Sequence, residues 1–473
     1  MAFGSLEPSY VARHLAQTLR LAEYELTLFA AFWFVIDILD ELLVDIAFVW
    51  FRFTGRAKTV RLGRDISRDR LRGRAAVFIP AWREADVVGL TVAHLLRVWP
   101  QRDLRLYVGC YANDPDTLRV AMEAAAGDPR LRLVVHGQRG PTTKGDCLNR
   151  LYRALCHDEA MAKTPARLVM IHDAEDMVHP AELALVDEAL EMADFIQIPV
   201  RPEPARSGGW IAGHYMDEFA EAHAKALVVR DAMGAPLPAA GVGCTFSRRV
   251  LERMAAQSPD GAPFASDCLT EDYELGMVVS LEGVRRHFLR VRDVTGALVA
   301  TRCCFPDSLP AAVRQKTRWL HGIAFQGWDR LGWNGRLVDR WMTLRDRKAP
   351  FATMTLGVAY LLLGLTPFSF AVRLQMLSAR PMEGTVLKGM LAICLFGFVW
   401  RAMMRAIFTG REYGAWEGMR AIIRIPIANV IAIMAFRRAF AAYCRSLFGA
   451  PVLWDKTLHR DHPAMAVPRP AAT

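Results

Sequence analysis

Cysteine is scarce in this chain: nine among 473 residues, an odd number, with no zinc-like spacing. That excludes a disulfide-stapled scaffold and a zinc-ribbon architecture. Phosphate-cradling glycine patterns are missing as well. There is no Walker pattern, and no Gly-x-Gly-x-x-Gly follows the first apolar strand of the middle region. This argues against P-loop and dinucleotide chemistry. Internal repeats and low-complexity tracts are lacking, which removes solenoids from consideration. No small-residue cleavage site follows the first apolar segment, so a cleaved signal peptide is excluded. Charged residues make up 23% against 53% hydrophobic, too apolar for a disordered chain.

What is present is positive charge and hydropathy. The net charge is +10, the isoelectric point is near 9.3 and the mean hydropathy is +0.14. Basicity alone fits nucleic acid, a membrane surface or an anionic substrate; the hydropathy favours a membrane. Residues 26–51 are long enough to cross about 30 Å of hydrocarbon and predict a span, although they carry Asp37, Asp40, Glu41 and Asp45. The alternative is an amphipathic helix on the membrane surface. Residues 351–372 and 386–408 predict two further spans, joined by a short polar turn around Pro381 and Gly384. Residues 413–444 mix Arg420, Arg424, Arg437 and Arg438 with apolar residues and contain Pro426. They predict an interfacial helix pair, with a fourth span as the alternative.

Charge asymmetry sets the orientation. Only Arg13 and Arg20 precede the first span, whereas Arg52, Arg56, Lys58, Arg61, Arg64, Arg68, Arg70, Arg72 and Arg74 follow it. The positive-inside rule puts the following region, and the basic tail with Arg445, Lys456 and Arg460, in the cytoplasm. No disulfides are expected in that reducing compartment. Because the positive charge gathers beside the spans, nucleic acid is disfavoured as a partner.

Between about residues 70 and 345, short apolar runs alternate with helical patterns. Residues 75–80, 104–109, 131–135, 168–172 and 195–198 read as strands. Residues 87–98, 116–125, 144–156 and 181–192 read as helices. Alternation of this kind predicts an open, mostly parallel α/β sheet. Such sheets bind ligands beyond the carboxyl ends of their strands. Pro80-Ala-Trp-Arg83-Glu84, Asn113-Asp114 and Asp173-Ala-Glu175-Asp176 follow three of those ends, so acids converge on one crevice.

Each motif has a chemical and a structural reading. Asp173 and Glu175 can hold Mg²⁺ or Mn²⁺, whose remaining positions take phosphate oxygens; otherwise they are turn and capping acids before Pro180. Glu271 and Asp272 open a helical run, where acids suit the dipole; Asp272 is also placed to act as a general base. Gln315, Arg318 and Trp319 share a helix surface with an amide, a guanidinium and an indole, suited to sugars and phosphates, or simply to a membrane-facing helix. Lys144 opens a helix where it can touch phosphate or be solvated. Gly243, Cys244 and Thr245 form a small-residue stretch open to an acceptor, or a plain turn. His172 reads as structural.

In combination, these motifs resemble the processive, membrane-bound branch of glycosyltransferase family 2, which includes cellulose and hyaluronan synthases. The resemblance covers about residues 70–445. The stretches LHGIAFQGWDRLGW and VLWDKTLHRDHP and the acidic first span look closer still to the glycosyltransferase part of the bacteriophage adsorption protein B family. The resemblance implies a cytoplasmic GT-A domain, Rossmann-like with a mostly parallel sheet, between N- and C-terminal transmembrane helices. It implies nucleotide-sugar contacts from Pro80, Arg83, Glu84, Asn113, Asp114, Lys144 and Asp173, with Asn113-Asp114 standing where many relatives have two Asp. It implies a cation at Asp173 and Glu175, with Asp176 a possible substitute, catalysis by Asp272 with Glu271 and Arg318, and acceptor contacts from Gln315, Trp319, Gly243, Cys244 and Thr245.

The implied reaction is inverting transfer from a UDP-sugar to a growing β-linked glycan, an N-acetylhexosamine polymer in the closer relatives. The setting implied is a bacterial inner membrane with lipid around the spans and an outer-membrane export partner. Relatives often continue into a cyclic-dinucleotide sensor. Since this sequence stops at Thr473, the expectation is that it lacks that module. Two other classes stay open: single-sugar transfer to a lipid carrier, and a non-catalytic membrane scaffold or receptor component.

Overall fold

The computed structural model of the protein describes residues 8–205, 209–375, 384–449 and 461–465. The expected turn around Pro381 and the tail residues Lys456 and Arg460 lie outside the described residues. The chain opens with one long helix, α1 (Pro8–Phe53). A seven-stranded sheet follows, built from β1 (Arg74–Pro80), β2 (Leu104–Tyr111), β3 (Leu131–His136), β4 (Ala166–Ile171), β5 (Phe195–Gln197), β6 (Cys244–Ser247) and β7 (Arg286–Phe288). Its spatial order is β3-β2-β1-β4-β6-β5-β7. All neighbours are parallel except β6, which runs antiparallel to both β4 and β5.

Helices α2 (Val88–Val98), α3 (Pro115–Ala125), α4 (Lys144–Ala162) and α5 (Glu182–Ala189) alternate with the first five strands, as the sequence pattern predicts. The central strands β1, β2 and β4 are mostly apolar and buried because both faces of the sheet are covered there. Side chains alternate between the faces. Val77, Ile79, Leu106, Val108 and Met170 join one core cluster; Ala76, Phe78, Tyr107, Val169 and Ile171 join the other. Burying each larger side chain contributes about 1.5–3 kcal/mol.

The one strand that breaks the parallel order is β6. It comes from the stretch containing Cys244 and Thr245, and its pairing with β4 and β5 turns that stretch into sheet interior. Helices α6 (Trp210–Glu221) and α7 (Leu227–Ala232) are continuous through a π-helical turn at Ala222–Ala226. Next come α8 (Arg248–Gln257), α9 (Glu271–Leu281) and α10 (Leu309–Leu320). A second π-helical turn (His321–Gln326) leads to α11 (Gly327–Leu331) and then α12 (Leu337–Arg347).

Three helices among the described residues are long and apolar enough to cross a membrane: α13 (Ala349–Gln375), through its residues Ala349–Phe370, α14 (Thr385–Tyr413) and α15 (Ala415–Leu447). The region expected to lie at the interface is therefore, by length and composition, the third member of this group. Its buried Arg424 is matched by Asp217 of α6 at 2.6 Å and Glu417 at 2.8 Å. By contrast, α1 is not a member, because its acids interrupt the apolar run.

Those acids face basic side chains of the protein itself. Asp37 pairs with Lys348, and Asp40 with Arg345 and Lys348 while accepting a bond from Trp341 Nε1 at 2.6 Å. Glu41 pairs with Arg345 at 2.7 Å and with Arg401. Asp45 meets Lys225 at 2.6 Å and Trp400 Nε1 at 2.7 Å. Lys225 is only 2% exposed and also binds Glu221 at 2.7 Å. This ladder ties α1 to α12, α14 and the π-helical turn after α6. Removing one partner of a buried pair typically costs about 3–5 kcal/mol. Lys225→Met is therefore expected to lower the melting temperature of the purified protein well below that of wild type; an unchanged melt would show that this contact does not hold α1 in place.

Candidate active site

A cavity of about 570 Å³ lies beyond the carboxyl ends of β1, β2 and β4. Each wall follows from a local feature of the sequence. At the start of α4, Thr143 and Asp146 form a capping box: Thr143 Oγ1 accepts the Asp146 amide at 3.2 Å, and Asp146 Oδ2 accepts the Thr143 amide at 3.4 Å. This fixes the helix start and makes Lys144 its first residue. Lys144 Nζ then reaches Asp173 Oδ1 at 2.7 Å, just past β4, and donates to the Gly241 carbonyl at 3.3 Å.

Asp272 comes from the first turn of α9, its Oδ1 accepting the Tyr273 amide at 2.7 Å. Gly241 makes its approach possible. Its φ is +79°, and a Cβ there would overlap Asp272 Oδ2; only glycine combines that backbone with that proximity.

The electrostatics follow from the convergence of acids. Burial raises the pKa of both Glu271, to about 8, and Asp272; repulsion from Asp272 adds to the rise of Glu271 and repulsion from Asp173 to that of Asp272, while Lys144 works in the opposite direction on both. Burial opposes the Lys144 charge, yet Asp173, Glu271 and Asp272 outweigh it and push its pKa up. The lysine is therefore held in its charged form, and the Asp272 carboxylate has raised basicity, the property a general base needs. Arg318 is near enough to hold the Asp272 pKa down as well.

Residues named from the sequence fall into two groups. Pro80, Glu84, Lys144, Asp173, Glu175, Glu271, Asp272, Gln315, Arg318 and Trp319 all line the cavity. Gln315 Oε1 is buried without a hydrogen-bond partner among the described residues. Trp319 packs edge-on to Tyr215 and Phe305. The others stand apart from the cavity wall. Arg83 is exposed, and its amide donates to Asp114 Oδ2 at 2.6 Å. Asn113 clasps Gly140 through two hydrogen bonds of 2.9 and 2.8 Å. These residues shape the loops rather than face the space.

Gly243, Cys244 and Thr245 also stand apart. Cys244 and Thr245 are fully buried, and Gly243 fits against Ile198 and Thr301. The preceding Ala240, Gly241 and Val242 line the cavity instead. Asp176 lines the cavity beside Glu175, while its Oδ2 accepts the Asp173 amide at 2.8 Å and meets His172 Nδ1 at 3.2 Å. His172 also touches Glu182 at 3.0 Å. Burial opposes its charge, but Glu182 and Asp176 outweigh that and push its pKa up to about 9.

Sequence reasoning passed over Trp82 and Tyr111. They line the cavity with ring centroids 5.0 Å apart. Their positions directly after β1 and at the end of β2 were the available signal.

A divalent cation fits this wall in kind. Asp173 and Glu175 project from one turn into the cavity, and no cluster of three or more His, Cys, Asp or Glu suited to a metal occurs among the described residues. Two carboxylates are what Mg²⁺ or Mn²⁺ takes when substrate phosphates complete its shell.

The Glycosyltransferase like family 2 model matches residues 73–322, which span the sheet and the cavity. The chain belongs to this family. It is a glycosyltransferase with a GT-A, mostly parallel α/β domain. Bacteriophage adsorption protein B of Escherichia coli (strain K12) is 34% identical over 413 residues, covering 82% of this chain and 55% of that protein. Bacteriophage N4 adsorption protein B of Escherichia coli O157:H7 gives the same figures. The chain thus spans about half the length of these curated relatives. Among solved structures, a mannosyltransferase from Pyrobaculum calidifontis in complex with GDP-Man and Mn²⁺ is 16% identical with a TM-score of 0.49, covering 89% of this chain and 99% of that one.

The close approach at Gly241 generates a direct test. A displacement of about 1 Å in a catalytic group can cost roughly 100-fold in rate. Gly241→Ala is expected to lower kcat by about that factor. Gly261→Ala, at φ +61° with nothing within 4 Å of its Cβ, serves as the strain control and is expected to leave kcat near wild type. Equal losses in both would assign the effect to backbone strain alone.

Proposed function

We propose that this glycosyltransferase is an inverting, polymerising enzyme that moves a sugar from a UDP-sugar to a β-linked glycan. The observation that carries the reading is the single cavity shared by Lys144–Asp173, Asp272 and the Gln315–Arg318–Trp319 surface. Asp272 takes the proton of the acceptor hydroxyl as its oxygen attacks the anomeric carbon. The new C–O bond forms while the bond from that carbon to the nucleoside diphosphate breaks, so one displacement inverts the α-anomer to a β-product. Lys144 and Arg318 place positive charge beside the departing diphosphate. Asp173 and Glu175 would hold Mg²⁺ or Mn²⁺, which supplies further neutralisation of that charge when bound. Trp82 and Tyr111 offer aromatic faces to the nucleotide base, and Trp319 one to the acceptor sugar.

The same cavity reaches Glu41 and Val44 of α1 and Arg345 and Lys348 beside them. This supports an acceptor that passes toward the membrane helices. In this reading the protein is a multi-pass protein of a bacterial inner membrane, with its catalytic domain on the cytoplasmic side where Arg52 to Arg74 gather. It would hand an N-acetylhexosamine glycan to an outer-membrane partner. Val44, Leu227 and Met342 also give that end of the cavity apolar walls, which favours a second reading: single-sugar transfer to a lipid carrier.

The two readings separate on the product. Purified protein given a panel of UDP-sugars with Mg²⁺ or Mn²⁺ is expected to make high-mass glycan from one donor. Asp272→Asn is expected to reduce transfer by roughly 10²–10⁴ while retaining UDP binding. A lipid-linked monosaccharide as sole product would install the second reading. Full activity in Asp272→Asn would overturn the catalytic assignment.

A further inference from the structure

The loop bearing Asp173 and Glu175 is held from behind by a segment far away in sequence. Ala174, between the two acids, is buried, and its carbonyl accepts a hydrogen bond from Thr91 Oγ1 at 2.6 Å. Thr91 lies on α2 and is fully buried. Its hydroxyl oxygen is 3.1 Å from Nε2 of His462, a residue of the C-terminal segment that is 1% exposed. The direction of these bonds is determined. His462 Nδ1 accepts the Ala464 amide at 3.0 Å, so in the neutral ring Nε2 carries the proton. Thr91 spends its own proton on Ala174, and its oxygen accepts from His462.

The neutral ring is favoured by the site. Burial pushes the His462 pKa down to about 4, with His94 adding to the drop and the Asp176 backbone and the Glu175 charge opposing it. Pro463 is buried next to it, in a short turn at Pro463–Met465. A histidine placed so deeply, yet outside the cavity lining, spends Nδ1 on its own turn and directs Nε2 at α2 behind this loop.

We propose that residues 461–465 form a strap that fixes the Asp173–Asp176 loop, with His462 as a positioning residue acting through Thr91. The role assigned to the loop rests on the reading of Asp173 and Glu175 as the cation and diphosphate end of the donor site. Side chains that orient metal ligands from behind typically contribute 10–100-fold to metal affinity.

Three variants of the full chain test this. Thr91→Val is nearly isosteric and removes both hydroxyl bonds; Thr91→Ser retains them; His462→Ala removes the strap's donor. The readouts are equilibrium binding of UDP as a function of Mn²⁺ concentration, without turnover, and hydrogen exchange at the amides of residues 174–177. A thermal melt accompanies each. Thr91→Val and His462→Ala are expected to raise the Mn²⁺ concentration needed for half-maximal UDP binding about tenfold and to speed exchange in the loop. KM for the donor rises more than kcat falls, and Thr91→Ser stays near wild type. Unchanged Mn²⁺ dependence and unchanged loop exchange in both variants would overturn the proposal. So would a loss in Thr91→Ser equal to that in Thr91→Val, which would mark a purely steric role. If the wild-type protein bound no UDP at any Mn²⁺ concentration, the donor-site reading would fail, and loop exchange alone would decide the strap.

Discussion

The active site depends on one ammonium group held among three carboxyl groups. Asp173 follows β4, and Glu271 and Asp272 begin α9; like charges brought this close repel and take up protons. Lys144 makes the arrangement tenable. It stands at the start of α4 because Thr143 and Asp146 cap the helix there, and it reaches both the strand end and the Gly241 carbonyl. A single cation therefore joins the donor side of the cavity to the base. The glycine at 241 follows from the same crowding, since no side chain fits between its backbone and the Asp272 carboxylate.

A similar economy of charge governs the membrane-side helices. Four acids would make α1 a poor resident of hydrocarbon by itself. In the fold each meets a basic partner from α12, α14 or the π-helical turn after α6. The charges specify where α1 docks, and they bring Glu41 and Val44 to the far end of the cavity. Arg424 does the same for α15, seated on Asp217 of the catalytic domain. Buried pairs of this kind are weak sources of net stability and strong sources of register, which suits helices that must be aligned with a catalytic cavity.

Much of this architecture is legible in the sequence because the strands are short apolar runs with polar motifs at their carboxyl ends. Those runs gave β1 to β4 and their helices to within a few residues. Strand β6 was not legible: the run Cys244 to Ser247 is only four residues long, and its pairing with β4 and β5 makes it sheet. The local partner of the second nucleotide-side acid was not legible either. Asp114 is taken up by the amide of Arg83, a local hydrogen bond that composition and spacing do not encode. The apolar content of α15 was masked by its arginines, of which Arg424 is matched by Asp217 of α6 as well as by Glu417 of its own helix. His462 is the extreme case, since its partner is on α2 and no local pattern connects the two.

In the proposed mechanism Lys144 favours the Asp272 carboxylate, the form that acts as the base. The most direct test is the pH dependence of kcat/KM for sugar transfer, wild type against Lys144→Met. Transfer requires the Asp272 carboxylate, so activity is present above its pKa and is lost as pH falls through it. Burial already lifts that pKa above the ordinary aspartate value, and Lys144 holds it down. Removing the lysine charge is expected to move the acid limb to higher pH by roughly one unit or more. An acid limb that stays in place, or moves to lower pH, would contradict the claim.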